Sequence, residues 1–265
     1  VASERVAAGK TAPIDEIRAK VELSVSKIDF EAAERGLTAA RKRLSSLWGS
    51  DKALFEKAEG SLDDLKPVPS AKAVEKLIPH SPDVARWDAE LKRYKSVVAL
   101  EWAGRIPNLT LQGGMRNFRN TNDNAFVFGL SMPLPVFNRN QGAYLEARFN
   151  LARAKEERRG VVARVRSALV DSYRDLSSSY EEASALKADV LPGARIAFET
   201  AKEGYLQGKF GYLEVLDAQR VLFETRGRYI DVLAKYHKAA AEIEQLTGSP
   251  LEIARSEMKA GNGDK

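Results

Sequence analysis

The feature that most constrains the fold is an internal repeat, in which residues 1–50 align with residues 200–249 without a gap. Ten positions are identical in the two copies, and Gly9-Lys10 of the first copy meets Gly208-Lys209 of the second. One uninterrupted register of this length is typical of a duplicated supersecondary unit. The chain is therefore expected to contain two copies of one unit, the first of them truncated at its start.

Both copies predict the same plan, in which a helix runs into a Gly-Lys turn and a second helix of roughly 35 residues follows. Apolar residues recur mostly at spacings of three and four along the second helix of the first copy, a pattern that favours packing against other helices. These residues are Ile14, Ile17, Val21, Val25, Ile28, Ala32, Leu37, Ala40, Leu44 and Leu47. The two helices are expected to end at Gly49 and Gly248, because glycine readily adopts the conformation that closes a helix.

The region between the two copies begins with loop signals. Prolines at residues 66–70 and 79–82 interrupt the helical pattern and predict a loop region over residues 51–80. Ser81 fits a helix N-cap with Pro82 at the first helical position. A helix is therefore expected over residues 81–105.

Residues 106–137 change from helical to alternating periodicity, which predicts a β-hairpin with two strands of about eight to ten residues. The residues that alternate on the apolar side are Leu109, Leu111, Met115, Phe126, Phe128, Leu130 and Met132. A lone two-stranded hairpin is marginally stable in water. Because a bilayer accepts a sheet only without open edges, the hairpin is expected to belong to a membrane β-barrel closed by several subunits.

The remaining segment, residues 138–249, predicts very long helices. One helical pattern runs to about Val190, and Leu191-Pro192-Gly193 is expected to kink or interrupt it before helix resumes to Gln207. Residues 250–265 are polar and predict a disordered tail. The expected fold class is mainly α, with long antiparallel coiled-coil helices and one two-stranded β-hairpin.

Composition and missing motifs exclude several functions. The chain has no cysteine, which excludes disulfides, zinc-thiolate sites and thiol catalysis. A net charge of +5 over 265 residues does not indicate nucleic-acid binding. The only two histidines, His80 and His237, are not expected to bind metal, and no phosphate-binding loop or nucleophile elbow is present. We therefore predict no enzyme activity, no cofactor and no metal site.

Two stretches, Gly129–Gly142 and Gly204–Gln219, carry a resemblance to a known family. The first contains Asn138-Arg139-Asn140-Gln141-Gly142, and the second contains Gly204-Tyr205-Leu206-Gln207-Gly208. With Ile106-Pro107-Asn108-Leu109 and Asp123-Asn124-Ala125, they make the sequence similar to TolC-type outer-membrane factors, and most of all to their heavy-metal branch (cobalt–zinc–cadmium, copper–silver). A complete member has two hairpins and two helical halves, so the chain resembles an N-terminally truncated member.

The resemblance implies a function as well as a fold. The helices would belong to a periplasmic helical barrel and the hairpin to an outer-membrane barrel, in a homotrimer of a Gram-negative bacterium. Its partners would be a periplasmic adaptor protein, an inner-membrane resistance-nodulation-division pump and outer-membrane lipid. The protein would be a passive conduit of a tripartite efflux system, exporting heavy-metal cations from the periplasm or cytoplasm.

The resemblance also implies roles for the two turns. Gly9-Lys10 and Gly208-Lys209 would form the periplasmic tip that contacts the adaptor, the alternative being that both are ordinary turns between helices. Only the second copy carries a pair of acids after its turn, Glu214 and Asp217. That copy is therefore the expected gate, and the first copy is the expected adaptor-facing hairpin.

Four residues near these turns are expected to form the periplasmic aperture. The family pattern places an acid six residues after the turn glycine, here Asp15 and Glu214, and in the second copy another acid three residues later, Asp217. Acids three apart share a helix face, and threefold repetition would create acidic rings that favour cations. Tyr205 lies where the family places a tyrosine that hydrogen-bonds the acid of the first copy, Asp15.

The apolar face of the hairpin is expected to meet lipid through Leu109, Leu111, Phe126, Phe128 and Leu130. The alternative is a surface arm of a soluble helical protein, which would leave these side chains as an exposed apolar patch. A second functional candidate, a periplasmic coiled-coil adaptor or structural scaffold, would explain the long helices. It would explain neither the hairpin nor the sequence of residues 138–142.

Overall fold

The structure, a computed structural model, describes residue 6 and residues 12–120 and 122–261, with the backbone alone for residues 257–261. Long helices and one antiparallel hairpin make up this part of the chain, which confirms the expected fold class. In order, the elements are α1 Pro13–Ser46, α2 Ala71–Glu75, α3 Pro82–Ala103, β1 Thr110–Phe118, β2 Asp123–Ser131, α4 Gln141–Ala185, α5 Leu191–Leu206, α6 Tyr212–Thr247 and α7 Leu251–Gly261.

The chain divides into two compact units. Unit 1 comprises Val1–Lys66 and Ser179–Lys235, and unit 2 comprises Pro67–Ser178 and Tyr236–Lys265. In unit 1, one apolar cluster joins the end of α4 to α6, and a second joins α5 to the start of α6. The first cluster contains Ala183, Leu186, Tyr229, Val232 and Leu233, and the second contains Ala201, Tyr205 and Val215.

The long second helix predicted for each copy is present in both. Helix α1 has 34 residues and α6 has 36. Gly49 and Gly248 follow these helices with φ of +76° and +65°, which confirms both predicted ends. The closing hydrogen bonds differ, because Ser50 N donates to Ser45 O after α1, whereas Gly248 N donates to Glu244 O after α6.

Matching heptad positions of the two copies differ in burial. The α6 positions Leu222, Tyr229, Tyr236 and Ile243 are 4, 9, 2 and 0% exposed, and their α1 counterparts Leu23, Phe30, Leu37 and Leu44 are 56, 63, 52 and 41% exposed. The large apolar residues of the stripe predicted from Ile14 to Leu47 are likewise 41–80% exposed. The expected helix packing is therefore not met within the described residues. The second copy includes α5 ahead of its turn, whereas the described chain ahead of α1 is only residue 6 and Ala12.

Residues 51–80 contain more regular secondary structure than the loop that the prolines predict. They include α2 and a short 3₁₀ helix, Ile78–His80. Ser70 caps α2 by accepting a hydrogen bond from Ala73 N at its hydroxyl. Two apolar pairs from this region are buried in unit 2, namely Ala73-Val74 and Leu77-Ile78. Helix α3 begins at Pro82 as predicted, although the Ser81 side chain makes no capping hydrogen bond.

The expected break near Pro192 takes the form of a π-helical turn, Leu186–Val190, that joins α4 to α5. Proline has no backbone N–H, and its ring crowds the carbonyl four residues earlier. The wider π turn accommodates this defect without ending the helix.

The expectation of a disordered tail over residues 250–265 is wrong for Leu251–Gly261, which form α7. Leu251 and Ala254 are 1% exposed, and Arg255 donates to Pro67 O at 3.0 Å and to the Tyr236 hydroxyl at 3.2 Å. The spacing of the two apolar residues places them on one helix face, which buries them despite the polar composition. Residues 262–265 lie outside the described residues.

None of the described helices combines the length and apolar character needed to span a membrane.

Candidate functional site

The turn between α5 and α6 is closed by a Schellman motif. Lys209 N donates to Gly204 O at 2.8 Å, and Gly208 N donates to Tyr205 O at 3.1 Å. Gly208 has a φ of +75°, a conformation that glycine adopts without strain. The predicted second-copy turn at Gly208-Lys209 is therefore present, whereas Gly9 and Lys10 lie outside the described residues.

The ring of Phe210 packs directly against the backbone of Gly204. A Cβ atom on Gly204 would lie 2.1 Å from Phe210 Cδ2 and 2.5 Å from Cε2. Phe210 N also donates to Gly204 O at 3.3 Å. This contact is not among the features predicted from the sequence. The available signal was a glycine inside a helix, since glycine allows another group to approach the backbone closely.

Two tyrosines lie next to the turn, Tyr205 at the end of α5 and Tyr212 at the start of α6. Tyr205 is 5% exposed, and its ring centroid is 5.5 Å from that of Tyr212. Burial raises the pKa of Tyr212, and the nearby Tyr205, Asp15 and Glu22 raise it further. The start of α1 therefore lies within electrostatic range of this pair. The hydrogen bond between Tyr205 and Asp15 stays a prediction.

The acids of the two copies have different surroundings. The Asp15 side chain is 14% exposed, and its carboxylate lies 3.6 Å from the Arg18 guanidinium. Arg18 occupies the repeat position that Asp217 holds in the second copy. The first copy thus has one largely buried acid paired with an arginine, where the second copy has two acids.

Glu214 and Asp217 are both exposed in the first turns of α6. The position of Glu214 near the helix N-terminus is favourable for a negative charge because of the helix dipole. Asp217 Oδ1 accepts a hydrogen bond from Arg220 Nη2 at 2.7 Å. The arginine offsets part of the charge of Asp217, so Glu214 is the less compensated acid of the two.

The hairpin has two nine-residue antiparallel strands and one apolar face, as predicted. Leu111 pairs with Leu130 and Met115 with Phe126, while the polar pairs such as Thr110 and Ser131 lie on the opposite face. The exposed fractions of Leu109, Leu111, Phe126, Phe128 and Leu130 are 59, 78, 73, 85 and 68%.

A side-chain hydrogen bond links the two strands near the hairpin turn. Asn117 Nδ2 donates to Asn124 Oδ1 at 2.8 Å, which links paired residues near the end of the ladder. Leu109 lies just before β1, one residue outside the strand.

The segment after the hairpin is a turn in which side chains accept hydrogen bonds from backbone N–H groups. Asn140 N donates to Asn138 Oδ1 at 3.0 Å, and Arg139 N donates to Gln141 Oε1 at 2.7 Å. The Asn140 amide then donates to the backbone oxygen of Glu101 at 3.0 Å and to its carboxylate at 2.7 Å. These bonds join the start of α4 to the end of α3. The sequence motif at residues 138–141 therefore has a structural role, which is to hold this turn in place.

Within the residues that the structure describes, no three His, Cys, Asp or Glu side chains are grouped so that they could hold a metal ion.

The combination of long helices, a glycine-closed turn and a one-sided hairpin is that of an outer-membrane efflux protein. Residues 73–249 match the family described as outer membrane efflux protein, and the chain belongs to that family. It is 39% identical over 247 residues to the cobalt-zinc-cadmium resistance protein CzcC of Cupriavidus metallidurans, covering 93% of this chain and 59% of that protein.

Two further comparisons agree with this assignment. The chain is 22% identical over 248 residues to the cation efflux system protein CusC of Escherichia coli, covering 88% of this chain and 52% of CusC. The crystal structure of the outer membrane protein VceC from Vibrio cholerae superposes with a TM-score of 0.73 at 17% identity, covering 94% of this chain and 61% of VceC. The chain thus has the fold of part of the outer membrane protein VceC and spans about half to three-fifths of these relatives.

Proposed function

We propose that the full-length protein is an outer-membrane channel subunit of a tripartite efflux system and a passive conduit for heavy-metal cations. The observation that carries this proposal is the 39% identity to a cobalt-zinc-cadmium resistance protein over 93% of the chain. The name of CusC, a cation efflux system protein, supports the same class of substrate. Selection of the ion would belong to the inner-membrane pump.

The hairpin supports placement in the outer membrane. Nine residues at about 3.4 Å each give strands on the order of 30 Å long, close to the length of membrane-spanning strands. The exposed apolar face, which includes Leu111, Phe128 and Leu130, would contact lipid, and the face of Thr110 and Ser131 would line the lumen. Because the strand edges need partners in lipid, we propose that a homotrimer closes the barrel.

The turn between α5 and α6 supports the assignment of the periplasmic tip. We propose that Gly208-Lys209, and Gly9-Lys10 by the repeat, contact a periplasmic adaptor linked to a resistance-nodulation-division pump. Glu214 and Asp217 are exposed beside the second turn, where threefold repetition would surround the aperture with acids. Asp15 and Tyr205 would hold the first copy against this aperture.

Conductance in planar lipid bilayers tests the channel. The full-length protein is expected to produce discrete conductance steps, with reversal potentials in a salt gradient that indicate a preference for cations. Protein that is folded and membrane-inserted but gives no steps would contradict the proposal and leave a scaffold as the better explanation. The substrate class is tested separately by deleting the gene, which is expected to reduce tolerance of cobalt, zinc and cadmium.

A further inference from the structure

Two arginines of unit 2 converge on one tyrosine beside the hairpin. The guanidinium carbon of Arg105 lies 5.6 Å from the ring centroid of Tyr144, and that of Arg148 lies 5.9 Å from the same centroid. Each cation is attracted to the electron-rich face of the ring. Two exposed positive charges therefore lie beside one ring at the start of α4.

The same short pattern surrounds both arginines. Trp102 of α3 is followed, just after the helix ends, by Arg105 and Ile106. Their spacing is that of Leu145, Arg148 and Phe149 at the start of α4. Positions three and four residues apart share a helix face. The turn after α3 keeps this arrangement, because Arg105 N donates to Trp102 O at 3.2 Å and Ile106 N donates to Ala103 O at 2.9 Å.

The apolar residues beside the two arginines are exposed. The exposed fractions of Trp102, Ile106, Leu145 and Phe149 are 55, 62, 51 and 66%. The nearest acid in sequence on the α3 side, Glu101, already accepts a hydrogen bond from Asn140 at 2.7 Å. Each arginine therefore lies beside exposed apolar side chains, so that positive charge and apolar surface adjoin.

We propose that Arg105, Tyr144 and Arg148 bind the phosphate of an anionic phospholipid headgroup, with its acyl chains against Trp102 and Phe149. This site rests on the proposed placement of the hairpin in the outer membrane. Guanidinium groups bind phosphate oxygens through paired N–H donors. Tryptophan and tyrosine favour the headgroup level of a bilayer, and each arginine near its surface strengthens attraction to anionic lipid. Flanking apolar residues favour a lipid over free phosphate.

Competition between two lipids tests the site in the full-length protein. The protein is purified in detergent and mixed with equal amounts of phosphatidylglycerol and phosphatidylcholine that carry the same acyl chains, and bound lipids are counted by native mass spectrometry. We expect the wild-type protein to prefer phosphatidylglycerol. In R105Q/R148Q this preference is expected to fall by about fivefold for each arginine removed. The control R93Q/R153Q removes the same number of charges, from α3 and α4, and is expected to keep the preference.

Three outcomes would overturn the site: equal binding of the two lipids, an equal loss in R93Q/R153Q, or displacement of phosphatidylglycerol by inorganic phosphate. If R105Q/R148Q does not assemble, Arg148→Lys replaces it, since lysine keeps the charge but loses the paired donors, and part of the preference is expected to disappear. Conductance in phosphatidylcholine bilayers separates the two proposals. A conducting protein without lipid preference contradicts only the lipid site, and a protein that is inserted but never conducts contradicts the channel.

Discussion

Phe210 and Gly204 are in such close contact that a single added carbon on Gly204 would lie 2.1 Å from the phenylalanine ring. The ring packs against the backbone of Gly204, and the Schellman hydrogen bonds connect the backbone groups of the turn. The proposed tip of the second copy is therefore held by both a side-chain contact and backbone geometry. Glycine is needed at two positions of this turn for two reasons, space at Gly204 and a positive φ at Gly208.

Gly204→Ala is expected to lower the free energy of opening of this turn by about 1–3 kcal/mol, because the ring of Phe210 must move aside. Hydrogen–deuterium exchange at the amides of Lys209 and Phe210 measures the effect. In a Phe210→Ala background the clash is gone, and the same substitution is expected to stabilise the helix by about 0.5–1 kcal/mol. Equal destabilisation in both backgrounds would show that the ring contact is not the cause.

Arg220 is expected to moderate the charge of the proposed aperture. Asp217 is bound to Arg220 at 2.7 Å, so Glu214→Gln should reduce the cation preference of the channel more than Asp217→Asn does. Arg220→Gln should increase the preference, since it leaves Asp217 without this pairing. Reversal potentials of single channels measure all three variants.

The acids Glu31 and Glu34 of α1 provide a matched control for the aperture variants, because they are exposed and have the same spacing as Glu214 and Asp217. E31Q/E34Q is expected to keep the cation preference of the wild-type channel, while E214Q/D217N loses it. A channel in which both double variants behave alike would exclude a specific aperture role for the α6 pair.

Phe128→Glu is expected to prevent assembly in the outer membrane. Phe128 is 85% exposed on the apolar face of the hairpin. A charge facing lipid is unfavourable, by about 2–4 kcal/mol for lysine or arginine at the bilayer midplane and by less for glutamate. The control is Gln112→Glu, which adds the same charge on the opposite face, proposed to be in contact with water. Fractionation of membranes and the amount of heat-resistant trimer measure assembly. Normal assembly of Phe128→Glu would count against the lipid-facing assignment.

The Tyr229 hydroxyl donates a hydrogen bond to Asp63 Oδ1 at 2.7 Å. This bond joins α6 to the segment that follows α1, and both residues belong to unit 1. Burial and this hydrogen bond raise the pKa of Tyr229 to about 12. Because the pKa is raised on folding, the stabilisation is complete below about pH 10, the ordinary tyrosine value, and is lost as the pH rises towards 12.

Tyr229→Phe is therefore expected to lower the free energy of unfolding by about 1–2 kcal/mol at neutral pH, with the difference from wild type shrinking above pH 10. Denaturant unfolding at several pH values measures this. Asp63→Asn keeps an acceptor but removes the charge, so tyrosinate absorbance of Tyr229 should develop at lower pH, though burial still delays it. A titration unchanged by Asp63→Asn would rule out the carboxylate as a cause.

Much of the architecture could be predicted from residue spacing. The repeat with its glycines predicted the lengths and ends of α1 and α6, and alternation predicted which hairpin residues share a face. These features depend on neighbours a few residues away, which any short window of sequence contains. The tail prediction was wrong for the opposite reason, because α7 depends on contacts with distant segments. Arg255 donates to Pro67 O and to the Tyr236 hydroxyl.

The repeat itself determined that two long helices would follow two glycine turns, because periodicity and capping are local properties of a chain. Only the tertiary structure decided what those equivalent helices touch. Tyr229 is buried and hydrogen-bonded to Asp63, while Phe30, at the same repeat position, is 63% exposed. Asp15 and Glu214 are likewise equivalent in the repeat, yet one carboxylate is largely buried beside Arg18 and the other is exposed. Burial and charge compensation depend on segments distant in the sequence, which local spacing does not specify.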